Sequence, residues 1–337
     1  MGGRFLGQDY YCFYYSCAHT VCDVGVLNNL EDKQIMSKHA FLGMGIMGAS
    51  MAANLGRSGL ETNVWNRTTT SPGIQIAKRA GCNVVKSIEE AVNNVDFIFT
   101  CVSDAPDVEK ILFSLGGVVE NARKGSLIID FSTIGTQAAK SLGHRLKQVG
   151  LRFLDAPVSG GDSGAKNGSL TIMVGGADQD FSDSLSFLKV LGKNIYHCGP
   201  VGSGQAVKLV NQILCGIHMV ALSEAMRLAE IQEIDLNLIV EICSSGAAGS
   251  WALSNLGPKM IQSDYSAGFK VKDMLKDLRL VNEELSGREI LPGVNLAQKL
   301  FELGITTFPQ GQGELKGTQS MVLAYKEGHT GELRCGR

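Results

Sequence analysis

One lysine, Lys208, sits just inside an apolar helical stretch that follows a glycine-rich turn, "GPVGSGQAVKLVNQ" from Gly199 to Gln212. Lysine is among the side chains least often buried. An ammonium taken out of water loses affinity for its proton, so its pKa falls from about 10.4 toward the range where an amine serves as general acid or base. Asn211 and Gln212, three and four residues on, share its helix face and can orient it or bind a hydroxyl. The competing reading is a lysine snorkelling to solvent from a helix start.

A second group of chemically able residues lies upstream in "DAPVSGG", Asp155 to Gly161. Ser159 offers a hydroxyl. Gly160 and Gly161 can turn backbone N–H groups toward an anion. The stretch follows an apolar run that reads as a strand, and open α/β sheets bind ligands beyond the carboxyl ends of their strands. A small carboxylate suits such a place; an ordinary turn is the alternative.

The third group is Gly43-Met44-Gly45-Ile46-Met47-Gly48, a GxGxxG spacing between a strand-like run and a helical period. In that context the first glycine makes the tight turn and the second admits a pyrophosphate. The third lets helix and strand pack closely, and the helix N-terminus faces the phosphates. NAD sites place a carboxylate about 20 residues on, for the ribose 2′-hydroxyl. Here that place holds Asn66, Arg67 and Thr68. A guanidinium can pair with a 2′-phosphate, so NADP is expected, with NAD as the alternative. Ser132 and Thr133, after another strand-like run, could meet the nicotinamide end. Hydride transfer to a carbonyl leaves an oxygen that needs a proton, which gives Lys208 a task.

Elements must position these groups. Apolar strand-like runs at His39–Leu42, "TNVWNRT", "FIFTCVS", "SLIIDFS", "LRFLDAP", "LTIMVGG" and "KNIYHCG" alternate with helical stretches. That pattern implies a parallel, doubly wound, Rossmann-like α/β sheet covered on both faces. Beyond Gly199 only helical periods are read, at 204–230, 236–244, 269–285, 293–303 and 314–327. The expected organisation is an extension over 1–38, a dinucleotide-binding domain over 39–200 and an all-helical domain over 201–330, joined by a long interdomain helix. The chain has 337 residues, 44% hydrophobic and 19% charged, which suits two packed domains. A net charge of −2 gives no electrostatic reason to bind nucleic acid. Nine scattered cysteines without a CxxC pair fit a reducing compartment rather than a disulfide framework. The apolar 206–229 stretch carries Lys208, Glu224 and Arg227, so a membrane span is not expected. His197 and His218 lack partners at metal-ligand spacing and read as structural, so no metal is expected. Lys276-Asp277 reads on its own as a solvated helical pair.

Together, four blocks in order resemble the β-hydroxyacid dehydrogenase family, with its 3-hydroxyisobutyrate dehydrogenases, tartronate semialdehyde reductases and glyoxylate/succinic semialdehyde reductases. They are "FLGMGIMGASMAANL", "DAPVSGGDSGAKNGSLTIMVGG", "GPVGSGQAVKLVNQ" and "KDLRL". The resemblance spans about residues 40–327. It implies an active site in the cleft between the two domains and Lys208 as the catalytic acid/base. It implies that Ser159, Gly160 and Gly161 hold the substrate carboxylate and that the amide after the lysine, Asn211 or Gln212, assists. Val102, Ser103, Asp107, Thr133 and Lys276 fall with the cofactor-contacting positions. Many members carry Asn four residues after the lysine; here Gln212 stands there. The expected activity interconverts a small β-hydroxyacid and its semialdehyde or oxo acid. The alternative is a catalytically silent nucleotide-binding module used for protein interaction. The expected partners are a small carboxylate substrate and further copies of the chain, as a homodimer or homotetramer. The expected compartment is the cytoplasm, with mitochondrion or plastid as alternatives.

Overall fold

A computed structural model describes residues 38–325. The proposed extension, apart from Lys38, and the last residues of the expected helical domain lie outside the described residues.

The first half alternates strand and helix. β1 (His39–Leu42), α1 (Ile46–Arg57), β2 (Thr62–Trp65), α2 (Pro72–Arg79), β3 (Asn83–Val84), α3 (Ile88–Val92), β4 (Phe97–Thr100), α4 (Ala105–Phe113) and α5 (Val118–Asn121) come first. β5 (Leu127–Asp130), α6 (Thr136–Gln148), β6 (Arg152–Asp155), β7 (Val158–Ser159), α7 (Gly161–Asn167), β8 (Leu170–Gly175), α8 (Asp178–Leu191) and β9 (Gly192–Gly199) complete it. The nine strands form one sheet in the order β3-β2-β1-β4-β5-β6-β8-β7, with β9 also paired to β8.

From β3 to β6 every pairing is parallel. The expected parallel, doubly wound sheet is found over these strands, and beyond β6 the pairing becomes mixed. β8 meets β6 antiparallel at Asp155↔Gly175, β7 is antiparallel to β8, and β9 returns parallel to β8. The apolar runs are buried on both faces and read the same in either direction, so their pattern carries no sign of the reversal. β3 and β7 have two residues each, too few for a periodic signal.

The strand period sorts side chains between the faces. Phe41, Phe99, Leu127 and Ile129 enter one core with Phe131, Phe187 and α1. Ala40, Leu42, Ile98 and Ile128 enter the opposite core with Val108 and Leu142. Phe41, Phe99 and Phe131 pack with ring centroids 5.9–6.2 Å apart, Phe131 stacked on the other two and Phe41 tilted against Phe99.

The second half is helical: α9 (Ser203–Ile231), α10 (Leu236–Ser245), α11 (Trp251–Ile261), α12 (Val271–Leu285) and α13 (Pro292–Ile305). Two 3-10 segments, Gly313–Leu315 and Thr318–Tyr325, stand where one helix over 314–327 is expected. The break at Gly317 has a cause: Lys316 accepts from Val271 N–H, and Gly317 bridges Lys270. α11 escapes the helical reading because Gly257-Pro258 looks like a stop. Gly257 packs tightly there: a Cβ would stand 3.0 Å from the Val240 side chain, which would have to shift to admit it.

α9 is long and apolar enough to cross a membrane by composition, with a mean hydropathy of 1.4 over its best window. In the fold it is the spine of the helical half. Leu209, Met219, Leu222 and Met226 pack with residues of α11, α12 and α13.

Candidate active site

The N-terminus of α9 is locked to the sheet by Asp155, the last residue of β6. Its carboxylate accepts from Gly202 N–H at 2.6 Å and Gln205 N–H at 2.9 Å. Gly202 itself brings no side-chain cap, so Asp155 supplies the missing acceptor and places negative charge at the helix's positive end. Burial pushes the Asp155 carboxyl up to about 6, while these N–H bonds pull it down. Gly204 permits the approach, because a Cβ would lie 2.2 Å from the Met173 carbonyl oxygen.

One residue on, Gln205 is fully buried. Its Oε1 accepts from Ile134 N–H (3.0 Å) and Gly135 N–H (3.2 Å), and its Nε2 donates to the Ser132 carbonyl (2.8 Å). α9 thus grips the loop after β5. Beside it, Asp130 Oδ1 accepts from Thr100, and from the Ser132 hydroxyl and N–H. The Ser132 oxygen accepts from Val102 N–H in turn. Burial lifts the Asp130 carboxyl to about 6. Ser132, expected to face a ligand, is spent on joining the loops after β4 and β5.

Lys208 lies one turn past Gln205 and is only 5% exposed. The snorkelling alternative fails on that number. Its Nζ donates to Gln212 Oε1 at 2.8 Å, and Gln212 Nε2 donates to Asp277 Oδ2 at 2.6 Å. Asn211 Nδ2 also donates to Gln212 Oε1, at 2.8 Å. Desolvation lowers the Lys208 pKa, and the Asp277 carboxylate opposes that shift. The result is a dry amine with a retuned proton affinity, aimed by an amide that an aspartate holds in one orientation.

Asp277 is 1% exposed. The solvated-pair reading of Lys276-Asp277 is therefore wrong. The apolar stripe Val271, Met274, Leu278 and Val281 turns Asp277 inward beside it. Lys276 stands 3.0 Å from the Asp277 carboxylate and donates to the Thr133 carbonyl at 2.5 Å. Arg279 Nη2 donates to Asp104 Oδ2 (2.7 Å), and Glu284 accepts from Thr136 N–H (2.6 Å). One helix thus pins both loops that follow β4 and β5.

A cavity of about 1290 Å³ runs between the sheet's carboxyl ends and the helical half. Its wall carries Lys208, Asn211 and Gln212. The Ser159-Gly160-Gly161 turn joins them there, with Gly160 at φ 131° and Gly161 at φ 62°. Gly43, Gly45, Ile46, Met47 and Gly48 line it as well. So do Asn66, Arg67, Thr68, Val102, Ser103, Asp107, Thr133 and Lys276. Met44 does not: its side chain is buried in the sheet core, and its N–H donates to Asn66 Oδ1 at 2.8 Å. Asn66 also donates to the Thr68 carbonyl. It ties the glycine loop to the end of β2. Trp251 joins the wall from α11, an element the periodicity missed. His218, read as structural, is exposed on this wall, whereas His197 stacks on Phe181 away from it.

The glycine loop fits a dinucleotide. A Cβ at Gly43 would stand 2.3 Å from the Cys101 carbonyl oxygen, and one at Gly48 would stand 2.0 Å from that of Gly43. Gly45 has nothing within 4 Å of its Cβ direction, and it caps α1 without a side chain. A space next to uncapped helical N–H groups is what a pyrophosphate needs.

The chain is similar to known NAD(P)-binding dehydrogenases. Residues 38–199 match the NAD-binding domain of 6-phosphogluconate dehydrogenase, and residues 202–322 match the NAD-binding region of NADP-dependent 3-hydroxyisobutyrate dehydrogenase. An uncharacterized oxidoreductase of Synechocystis is 52% identical, over 87% of this chain and 99% of its own. The 2-hydroxy-3-oxopropionate reductase of Escherichia coli is 36% identical, over 78% and 90%. The 3-hydroxyisobutyrate dehydrogenase of Mycobacterium tuberculosis, solved with L-serine, superposes with a TM-score of 0.75. It is 27% identical and covers 89% of this chain and 100% of its own.

Proposed function

The chain belongs to the β-hydroxyacid dehydrogenases, NAD(P)-dependent oxidoreductases acting on a CH–OH group, and we propose that it interconverts a small β-hydroxyacid and its semialdehyde or oxo acid with Lys208 as acid/base. The substrate is of 3-hydroxyisobutyrate, tartronate semialdehyde or succinic semialdehyde type, and NADPH is favoured. The observation that carries the reading is the buried Lys208–Gln212–Asp277 chain on the cavity wall.

Gly43–Gly48 would hold the dinucleotide, with Arg67 and Thr68 on its adenosine side and Val102, Ser103, Thr133 and Lys276 on its nicotinamide side. When bound, the cofactor would supply or accept the hydride. Ser159, Gly160 and Gly161 hold the substrate carboxylate. In the oxidative direction neutral Lys208 takes the hydroxyl proton; in the reductive direction the ammonium returns it to the nascent alkoxide. Gln212 Oε1 accepts from the lysine, and Asp277 keeps that oxygen turned toward it by engaging the amide nitrogen. Asp277 also offsets part of the desolvation cost of the ammonium. Desolvation and the Asp277 charge thus act on the amine in opposite senses, with desolvation the larger.

A panel of C3 and C4 hydroxyacids and semialdehydes, each assayed with both cofactors, tests the reading. Turnover of at least one such substrate, faster with NADPH, is expected. Cofactor binding without turnover on any of them would favour the silent module instead.

A homodimer or homotetramer is the matching assembly. α10 has no buried residue and exposes Leu238 and Ile242, while α9 exposes Leu228 and Ile231. Apolar faces of this kind suit an interface between two copies of the chain. Light scattering of the wild type should give twice or four times the monomer mass. A monomer at micromolar concentration would contradict it.

A further inference from the structure

At the adenosine end the turns after β2 and β4 meet. Arg67 Nη1 lies 3.3 Å from Asp107 Oδ1. The Arg67 side chain is 77% exposed and free to swing, whereas that of Asp107 is 28% exposed and fixed in the first turn of α4. That turn is anchored twice. Asp104 caps it by accepting from Ala105 N–H (2.8 Å), and the other Asp104 oxygen accepts from Arg279 on α12 (2.7 Å). Both Arg67 and Asp107 line the cavity, as does Lys110 one turn further along α4. The end of β2, where an NAD site keeps its carboxylate, holds Asn66, a neutral amide bonded to Met44 N–H and the Thr68 carbonyl.

We propose that Asp107 is a specificity-determining residue of the cofactor site, a carboxylate delivered from α4 instead of from β2. It accepts a hydrogen bond from a ribose 2′-hydroxyl and opposes a 2′-phosphate. Arg67 does the reverse. The two form an ion pair with each other, so a 2′-phosphate must draw Arg67 away from Asp107, whereas a 2′-hydroxyl leaves the pair intact. The ratio of NADP to NAD affinity is therefore set by this pair and is lower than Arg67 alone would give. This rests on the reading that Arg67 recognises the 2′-phosphate.

The test is cofactor binding without substrate. Titration calorimetry gives Kd for NADPH and NADH with the wild type, Asp107→Asn, Asp107→Ser and Arg67→Ala, with thermal melting to confirm folding. Both Asp107 variants should raise the preference for NADPH by about three- to tenfold, the size of a solvent-screened charge repulsion at contact range. The gain comes from tighter NADPH and weaker NADH, and it shrinks in high salt. A preference unchanged within twofold in both variants overturns the assignment. So does a loss of NADPH affinity in both, which would mean that Asp107 only holds Arg67 in place. Arg67→Ala separates the two levels. If it leaves the preference unchanged while the Asp107 variants raise it, the phosphate role of Arg67 fails and that of Asp107 stands.

Discussion

Replacing Asp277 by Asn keeps an acceptor for Gln212 Nε2 and removes one buried negative charge. Asp277 and Lys208 are bridged by a single amide through hydrogen bonds of 2.6 and 2.8 Å. That places carboxylate and amine about 6–7 Å apart, and at an effective dielectric of about 20–40 their attraction is roughly 1.3–2.6 kcal/mol, or about 1–2 pKa units. Loss of that attraction should lower the Lys208 pKa further below its usual value, since desolvation is then less opposed. The assay is kcat/KM for hydroxyacid oxidation across pH. The limb on which the base loses its proton should move to lower pH by about 1–2 units. Asp277→Leu, which also releases the amide, should add a drop in kcat that the Asn variant lacks. A limb that stays put in Asp277→Asn, or that moves upward, would refute the electrostatic link between α12 and the lysine.

Gly45 and Gly48 should separate cofactor binding from folding. Gly45→Ala should melt within about 2 °C of the wild type, as its Cβ meets nothing. It should bind NADPH at least tenfold more weakly, because the methyl enters the phosphate space, and calorimetry reads both. Gly48→Ala, with its Cβ 2.0 Å from the Gly43 carbonyl oxygen, should lose about 2–3 kcal/mol of stability or fail to fold in denaturant titrations. His39 is buried among Phe97, Phe99 and Phe187, and burial holds its pKa down at about 4. Between pH 6.5 and about 4 the unfolded chain takes a proton there and the folded one does not, so this residue costs about 1.4 kcal/mol of stability per pH unit on acidification. Asp130 and Asp155, raised to about 6, act in the opposite sense over about pH 6 to 4. His39→Leu should therefore lose less stability than the wild type between pH 7 and 5, and equal losses would contradict this.

Much of the site was legible because its signals are local. The GxGxxG spacing, the "VSGG" turn and a lysine in an apolar helix each speak through neighbouring residues. What was not legible depends on partners far along the chain. Asp277 lies 65 residues from Gln212, and no charge pattern within "KDLRL" shows that its carboxylate is buried. Gln205 reads as one more polar residue near a helix start, yet it ties α9 to a loop some 70 residues upstream. The reversal at β8 is hidden for a different reason: a strand apolar on both faces has no direction in its composition. The helical periods of Val271–Val281 did hold a clue to Asp277, since the residue adjoins the apolar stripe, but the charged neighbour Lys276 masked it. Met44 shows the converse: it stands in a ligand-binding motif, but its side chain enters the sheet core and its N–H is taken by Asn66. Ser132 lines the cavity while its hydroxyl also ties the motif together.

The central claim is that the Lys208 amine moves the proton. Single-turnover reduction by bound NADPH in Lys208→Ala tests it most directly, with the NADPH Kd measured in the same preparation. A rate about 10²–10⁴-fold lower with cofactor affinity kept within a few-fold is the result this account requires. A variant that still turns over at close to the wild-type rate would contradict it.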